Sequence, residues 1–295
     1  MTLTKDFYIN HLTNQLTGIS HRKTEIFHLI GSLNLVLFGV LILIILQTKG
    51  AFAMSEQITI HRRFRGPPNT GQGGYICGIV ANLIGPCAEV TLRSPAPLDL
   101  PLTVERMENG KVRLVKDKVT IAEGRKAQLR IDIPDPPTFE ESTSAAKAYP
   151  GFKTHPFPSC FGCGHERKEG DGLRIFSGPL KGSEIMAAPW LPDASLVEET
   201  GRVRTEVIWA ALDCPTGWAV VNLLNYLYPD SPFILLGRFV AEVKKRLKPG
   251  QNCVTIGWPI GNDGRKLYSG SAIFSERGQL FAAGKATWIA VEPRT

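Results

Sequence analysis

Twice along its 295 residues the sequence runs an apolar stretch of helical length into a series of short β-patterned segments. That repetition limits the architectures open to the chain. The first stretch, 75–84, is apolar but for Asn82 and closes at Gly85-Pro86, which predicts a buried helix rather than a half-exposed strand. The second, 205–224, carries Trp209, Leu212 and Val220 among its apolar positions. A strand pattern at 58–64 precedes the first helix, and patterns at 173–176 and 184–188 precede the second. Strands are expected after the first helix at 88–93, 100–105, 112–115, 118–121 and 128–133, with turns at Asp99, Asn109-Gly110 and Glu123-Gly124. The segments 233–247, 254–258, 267–274 and 280–291 supply the second series.

Local sequence echoes the repeat. Residues 92–98 before one strand have a counterpart in 246–250 before another, and 119–124 parallels 273–278, at an offset of roughly 150 positions. Two copies of one α+β unit explain this economically: 54–133 and 159–295, joined by a Pro-, Ser-, Glu- and Lys-rich linker at 134–158. Each antiparallel sheet would wrap a central helix, and joining the sheets edge to edge would cover an exposed strand.

Residues 1–53 stand apart. From 26 to 48 there is no charged residue, enough to cross a hydrocarbon core of about 30 Å as a helix. Three readings stay open: a membrane anchor, a signal peptide ending at Ala51-Phe52-Ala53, or an extension upstream of a start at Met54. Arg22 and Lys23 precede the span, whereas Lys49, Arg62, Arg63 and Arg65 follow it, which favours a cytoplasmic body. Cys77, Cys87, Cys214 and Cys253 stand isolated, unlike a secreted disulfide framework.

The net charge of +7 favours acidic partners. The basic clusters, Arg62, Arg63, Arg65 and Lys244, Lys245, Arg246, Lys248, lack the interleaved aromatics of a nucleic-acid groove, so nucleic acid is not expected.

Three fragments add a family likeness: Cys160-Phe161-Gly162-Cys163-Gly164 followed by Gly172-Leu173; the stretch 209–217, with Asp213 midway along a helix; and Gln72-Gly73-Gly74. Together with the repeated strand–helix–meander order over 58–291, they resemble the hotdog superfamily, and within it the phenylacetate-pathway (PaaI-like) acyl-CoA thioesterases in double-hotdog form. The resemblance implies a tandem hotdog fold, an acyl-CoA or related thioester as partner, and no cofactor. It sets Gln72 beside the substrate carbonyl and across a pseudo-twofold from Asp213.

Thioester hydrolysis needs a base for water and donors for the developing oxyanion. Gly73 and Gly74 would open the first helix, where backbone N–H groups are unpaired, although a simple tight turn after Pro67-Pro68 explains them as well. Asp213 lies in an apolar helix and is the candidate base or nucleophile, with a purely structural hydrogen bond as the alternative. Glu206, two turns earlier, shapes the groove or caps the helix. Trp209 and Asn69 are candidate pocket residues, and Lys244, Lys245 and Arg246 are candidates for the CoA phosphates. Cys160-x-x-Cys163, with His155 and His165 nearby, has metal-site spacing but lacks a second pair, so structural thiols are the plainer expectation. No histidine falls within either central helix, which disfavours hydratase chemistry and a Ser-His-Asp arrangement. A non-catalytic acyl-CoA binding protein remains the rival, and self-association of copies is open.

Overall fold

The first apolar stretch forms helix α1 (Gly73–Asn82), and the second forms α3 (Thr205–Ala219), in a computed structural model that describes residues 56–221, 224–225 and 233–291. The segment 26–48 and the rest of 1–53 lie outside the described residues. Among those described, no helix is long and apolar enough to cross a membrane.

The strands are β1 (Gln57–Thr59), β2 (Cys87–Leu92), β3 (Pro101–Arg106), β4 (Val112–Lys116) and β5 (Val119–Lys126) in the first part of the chain. They continue as β6 (Gly178–Pro179), β7 (Met186–Trp190), β8 (Ile234–Val243), β9 (Cys253–Asp263), β10 (Lys266–Ser275) and β11 (Leu280–Ala290). Among the described residues they form one antiparallel sheet rather than two, in the order β1-β3-β4-β5-β2-β8-β11-β10-β9-β7-β6. Read outward from its middle, the order is β2-β5-β4-β3-β1 one way and β8-β11-β10-β9-β7 the other, so each strand of the first series has a counterpart in the second. The seam is the β2–β8 ladder, Cys87 opposite Glu242 through Thr91 opposite Arg238. It pairs two strands that would otherwise offer open edges.

Alternation along the strands divides the core between the two faces of the sheet. Cys253 and Ile273 join the large cluster around α1 and α3, whereas their neighbours Val254, Ala272 and Phe274 join a second cluster. Leu129, Ile131 and Ile133 pack onto that second cluster without pairing as a strand. Their period-two pattern is satisfied by lying along a sheet face.

The chain from 134 onward is likewise more than a linker. It forms α2 (Phe139–Ala146), opened by a capping box in which Thr138 and Glu141 satisfy each other's backbone N–H groups. Ala145 of this helix belongs to the second cluster. The expected turn at Glu123-Gly124 is absent, because β5 runs straight through it, pairing Glu123 with Thr91 and Gly124 with Val90. Gly124 is there for space: a Cβ would meet Val80 Cγ1 at 2.6 Å. The parallel between 119–124 and 273–278 therefore fails, since the latter ends β10 and turns into β11. Residues 173–176 form no strand; Leu173 and Ile175 donate to the carbonyls of Phe161 and Gly162 instead.

Candidate active site

Helix α1 begins where Gln72 caps it, its Oε1 accepting the Tyr75 N–H at 2.6 Å. The capping side chain has a second end. Its Nε2 donates to Asp213 Oδ2 at 2.5 Å, and more weakly to the Ala210 carbonyl at 3.4 Å. Gly74 N–H donates to the same Oδ2 at 2.8 Å. Asp213 thus receives two donors on one oxygen from the positive end of α1, while Oδ1 has no hydrogen-bond partner among the described residues. The side chain is 3% exposed. Burial pushes the Asp213 carboxyl up to about 7, against the lowering effect of the Gly74 N–H and the Gln72 amide.

Such closeness requires bare backbone. A Cβ on Gly74 would stand 2.5 Å from Asp213 Cβ and 2.6 Å from the Trp209 carbonyl, and one on Gly78 would stand 2.4 Å from Glu206 Cα. One turn apart on α1, these glycines make a flat strip on which α3 lies antiparallel. Gly74 is therefore a packing residue whose N–H is spent on Asp213. Gly73 is different. It stands at the first helical position with no intrahelical acceptor, and among the described residues no hydrogen bond engages its N–H.

Asp213, Gln72 and Gly73 line a cavity of about 1620 Å³. Ile76, Leu92, Leu224, Leu235, Leu236 and Trp288 give it apolar walls, and Asn69, in a left-handed turn at φ 60°, borders it. Lys147 and Lys153 also line it; both are exposed and neither forms an ion pair among the described residues. Sequence reasoning missed these two because they fall in the segment read as a linker.

The structure does not bring the other candidates here. Lys245 donates to Gln279, Lys244 approaches Glu242 at 4.0 Å, and Arg246 is held by the Val203 carbonyl and Glu198, none of them lining the cavity. Glu206 accepts from Asn82 at 2.7 Å, tying α3 to the end of α1. Trp209 is fully buried, edge-on to Phe239, and belongs to the core. Beside Asp213, Cys214 brings its sulfur to Cys160 and Cys163, the three lying within 4.8 Å of one another. His155 Nε2 is 3.4 Å from Cys163 Sγ, whereas His165 is not part of this group. In the sequence Cys214 stands isolated; only the packing of α3 on the 160–164 turn reveals its neighbours.

No family model matches the sequence, and no curated protein does. Solved structures do resemble it. A protein described as a candidate thioesterase II from Thermobifida fusca superposes with a TM-score of 0.51 at 12% identity, over 80% of this chain and 92% of that one. A TesB protein from Mycobacterium avium subspecies paratuberculosis gives 0.49 at 12% identity, over 79% and 91%. A candidate thioesterase from Novosphingobium aromaticivorans gives 0.48 at 13%, over 80% and 94%. At these identities the likeness is one of fold: helices packed on an antiparallel sheet, as in proteins described as thioesterases.

Proposed function

We propose that this chain is a tandem hotdog hydrolase that cleaves acyl thioesters of the coenzyme A class in the cavity beside Asp213. The observation that carries the reading is the buried carboxylate itself. Held on one oxygen by Gln72 and Gly74, it stands at the wall of an apolar cavity next to the unengaged Gly73 N–H. Among the described residues no cation pairs with it; a buried acid of that kind costs stability, and placing one against a ligand-sized cavity is typical of working sites. Asp213 takes a proton from water as the water oxygen bonds to the acyl carbon. Gly73 N–H receives the carbonyl oxygen as it becomes negative. The C–S bond then breaks, and the departing thiolate takes up the proton that Asp213 holds. The apolar walls suit the acyl chain, and Lys147 with Lys153 suits the phosphates of a CoA-type carrier.

One observation favours a second reading, in which the chain binds acyl-CoA without cleaving it. Gln72 and Gly74 are both committed to Asp213, which leaves Gly73 N–H as the free donor of the 72–74 turn among the described residues. A chain-length panel of acyl-CoAs, followed with a free-thiol reagent and in parallel by calorimetry, separates the two. Thiol release with at least one ester is expected; saturable binding with no release would select the second reading.

The two lysines provide their own check. Lys147→Glu with Lys153→Glu is expected to raise KM for CoA esters by roughly tenfold at low salt, less at high salt. Thioesters of N-acetylcysteamine, which lack phosphates, should be unaffected. A single membrane span at 26–48, with the catalytic body on the cytoplasmic side, belongs to the same proposal. Fractionation should show membrane association lost when residues 1–53 are removed.

A further inference from the structure

We infer that Cys160, Cys163 and Cys214 form a site for one thiophilic divalent cation, zinc foremost, with a fourth coordination position open toward the cavity. The inference does not rest on thioester cleavage and can stand or fall without it. Its first support is convergence. Two sulfurs come from one turn and the third from α3; all three thiols are free and buried, and they lie within 4.8 Å of one another. Thiolates sharing a tetrahedral zinc at about 2.3 Å stand about 3.8 Å apart, so small side-chain rotations suffice.

The turn itself is shaped for this meeting. Gly164 N–H donates to the Cys160 carbonyl at 2.9 Å, folding the chain so tightly that a Cβ on Gly164 would strike the Pro158 carbonyl at 2.5 Å. A Cβ on Gly162 would come 2.3 Å from Cys214 Sγ. Gly162 is therefore what lets the third sulfur reach the other two.

The second support is a nitrogen beside two of the three sulfurs. Gln72 Nε2 lies 3.7 Å from Cys214 Sγ. His155 accepts the Phe157 N–H on Nδ1 at 3.0 Å, so its own ring proton sits on Nε2 and points at Cys163 Sγ, 3.4 Å away. His155 is accordingly an outer partner that orients a ligand rather than a ligand itself. Cys214 and Cys163 thus each have a nitrogen donor beside the sulfur, an arrangement suited to thiolates. Three thiolates packed together in the interior repel one another unless a cation lies between them. Binding would displace the thiol protons to solvent, and a three-thiolate zinc keeps a position for water or an exogenous thiol. That position would share the cavity wall with Asp213, since all three cysteines line the same cavity.

The test uses the full chain, purified under reducing conditions without chelator, with metal measured by plasma mass spectrometry. About one zinc per chain is expected, and cobalt taken up in its place should show thiolate-to-cobalt charge transfer with the ligand-field bands of four-coordination. Cys160→Ser, Cys163→Ser and Cys214→Ser should each lose most of the metal. Where a serine variant does not fold, alkylation of the wild-type chain decides: zinc should slow labelling of the three cysteines by about tenfold relative to chelator-treated protein. Wild-type protein that takes up no zinc, serine variants that keep a full equivalent, equal labelling with and without zinc, or a disulfide within the trio would overturn the inference.

Discussion

Asp213→Asn is expected to lower kcat/KM for thioester cleavage by roughly 10²- to 10⁴-fold while leaving the fold in place. Asparagine fits because both donors, Gln72 Nε2 and Gly74 N–H, converge on Oδ2, so a carbonyl oxygen in the same place accepts both. The new amide nitrogen would replace Oδ1, which has no partner to lose among the described residues. What disappears is the capacity to take a proton from water. Stability should move the other way. The Asp213 carboxyl is raised from 3.8 to about 7, so the folded state favours the protonated form. A raised carboxyl makes the fold lose stability as pH climbs from the ordinary value through the raised one. The asparagine variant should therefore melt higher than wild type at pH 8, with the gap narrowing as the pH falls from 7 toward 4. Undiminished turnover in a folded Asp213→Asn protein would remove the catalytic assignment; a lower melting point at pH 8 would remove the electrostatic one.

Gly78→Ala and Gly74→Ala should each destabilise the chain by about 1–3 kcal/mol, or more if the helices are forced apart. In an exposed helix the same change would stabilise by up to about 1 kcal/mol, so the sign itself is informative. The added methyl of Gly78→Ala meets Glu206 Cα at 2.4 Å and Trp209 Cβ at 2.9 Å, and that of Gly74→Ala meets Asp213 Cβ and the Trp209 carbonyl. Because most of these obstacles are backbone or Cβ atoms, no rotamer change clears them. Gly73→Ala makes the contrast: its nearest neighbours are Leu236 Cδ2 at 3.0 Å and Cβ at 3.3 Å, and the methyl tip can swing away. Urea unfolding would check the ranking, and a Gly78→Ala protein as stable as wild type would show that α1 and α3 are not held this closely.

The helices were legible because their apolar runs are long and clearly bounded, α1 by Gly85-Pro86 and α3 by the charged stretch before Thr205. Asp213 stood out for the same reason, as a charge in an apolar run. Its partner Gln72 came only from the family resemblance, since nothing local says that a capping side chain spans to another helix. Glycines misled in both directions. Gly124 read as a turn because a strand interior seldom needs a missing Cβ, and Gly74 read as a donor before its packing against α3 was visible. Clusters of charge were the weakest guide. Lys244, Lys245 and Arg246 are contiguous yet engage surface partners, whereas Lys147 and Lys153, six positions apart by their numbering in an unpromising stretch, meet at the cavity. The cysteine trio was invisible beyond its Cys160–Cys163 half, because Cys214 joins it only through tertiary packing.

The β2–β8 ladder has a bearing on stoichiometry. In a pair of identical subunits every residue recurs on both sides of the axis, and a buried acid would be suffered twice. Here both sides belong to one polypeptide. The end of α1 can carry Asn82, bonded to Glu206, while the middle of α3 carries Asp213. On the function proposed above, a molecule so divided is expected to saturate with one acyl ligand per chain, a ratio that calorimetry would count.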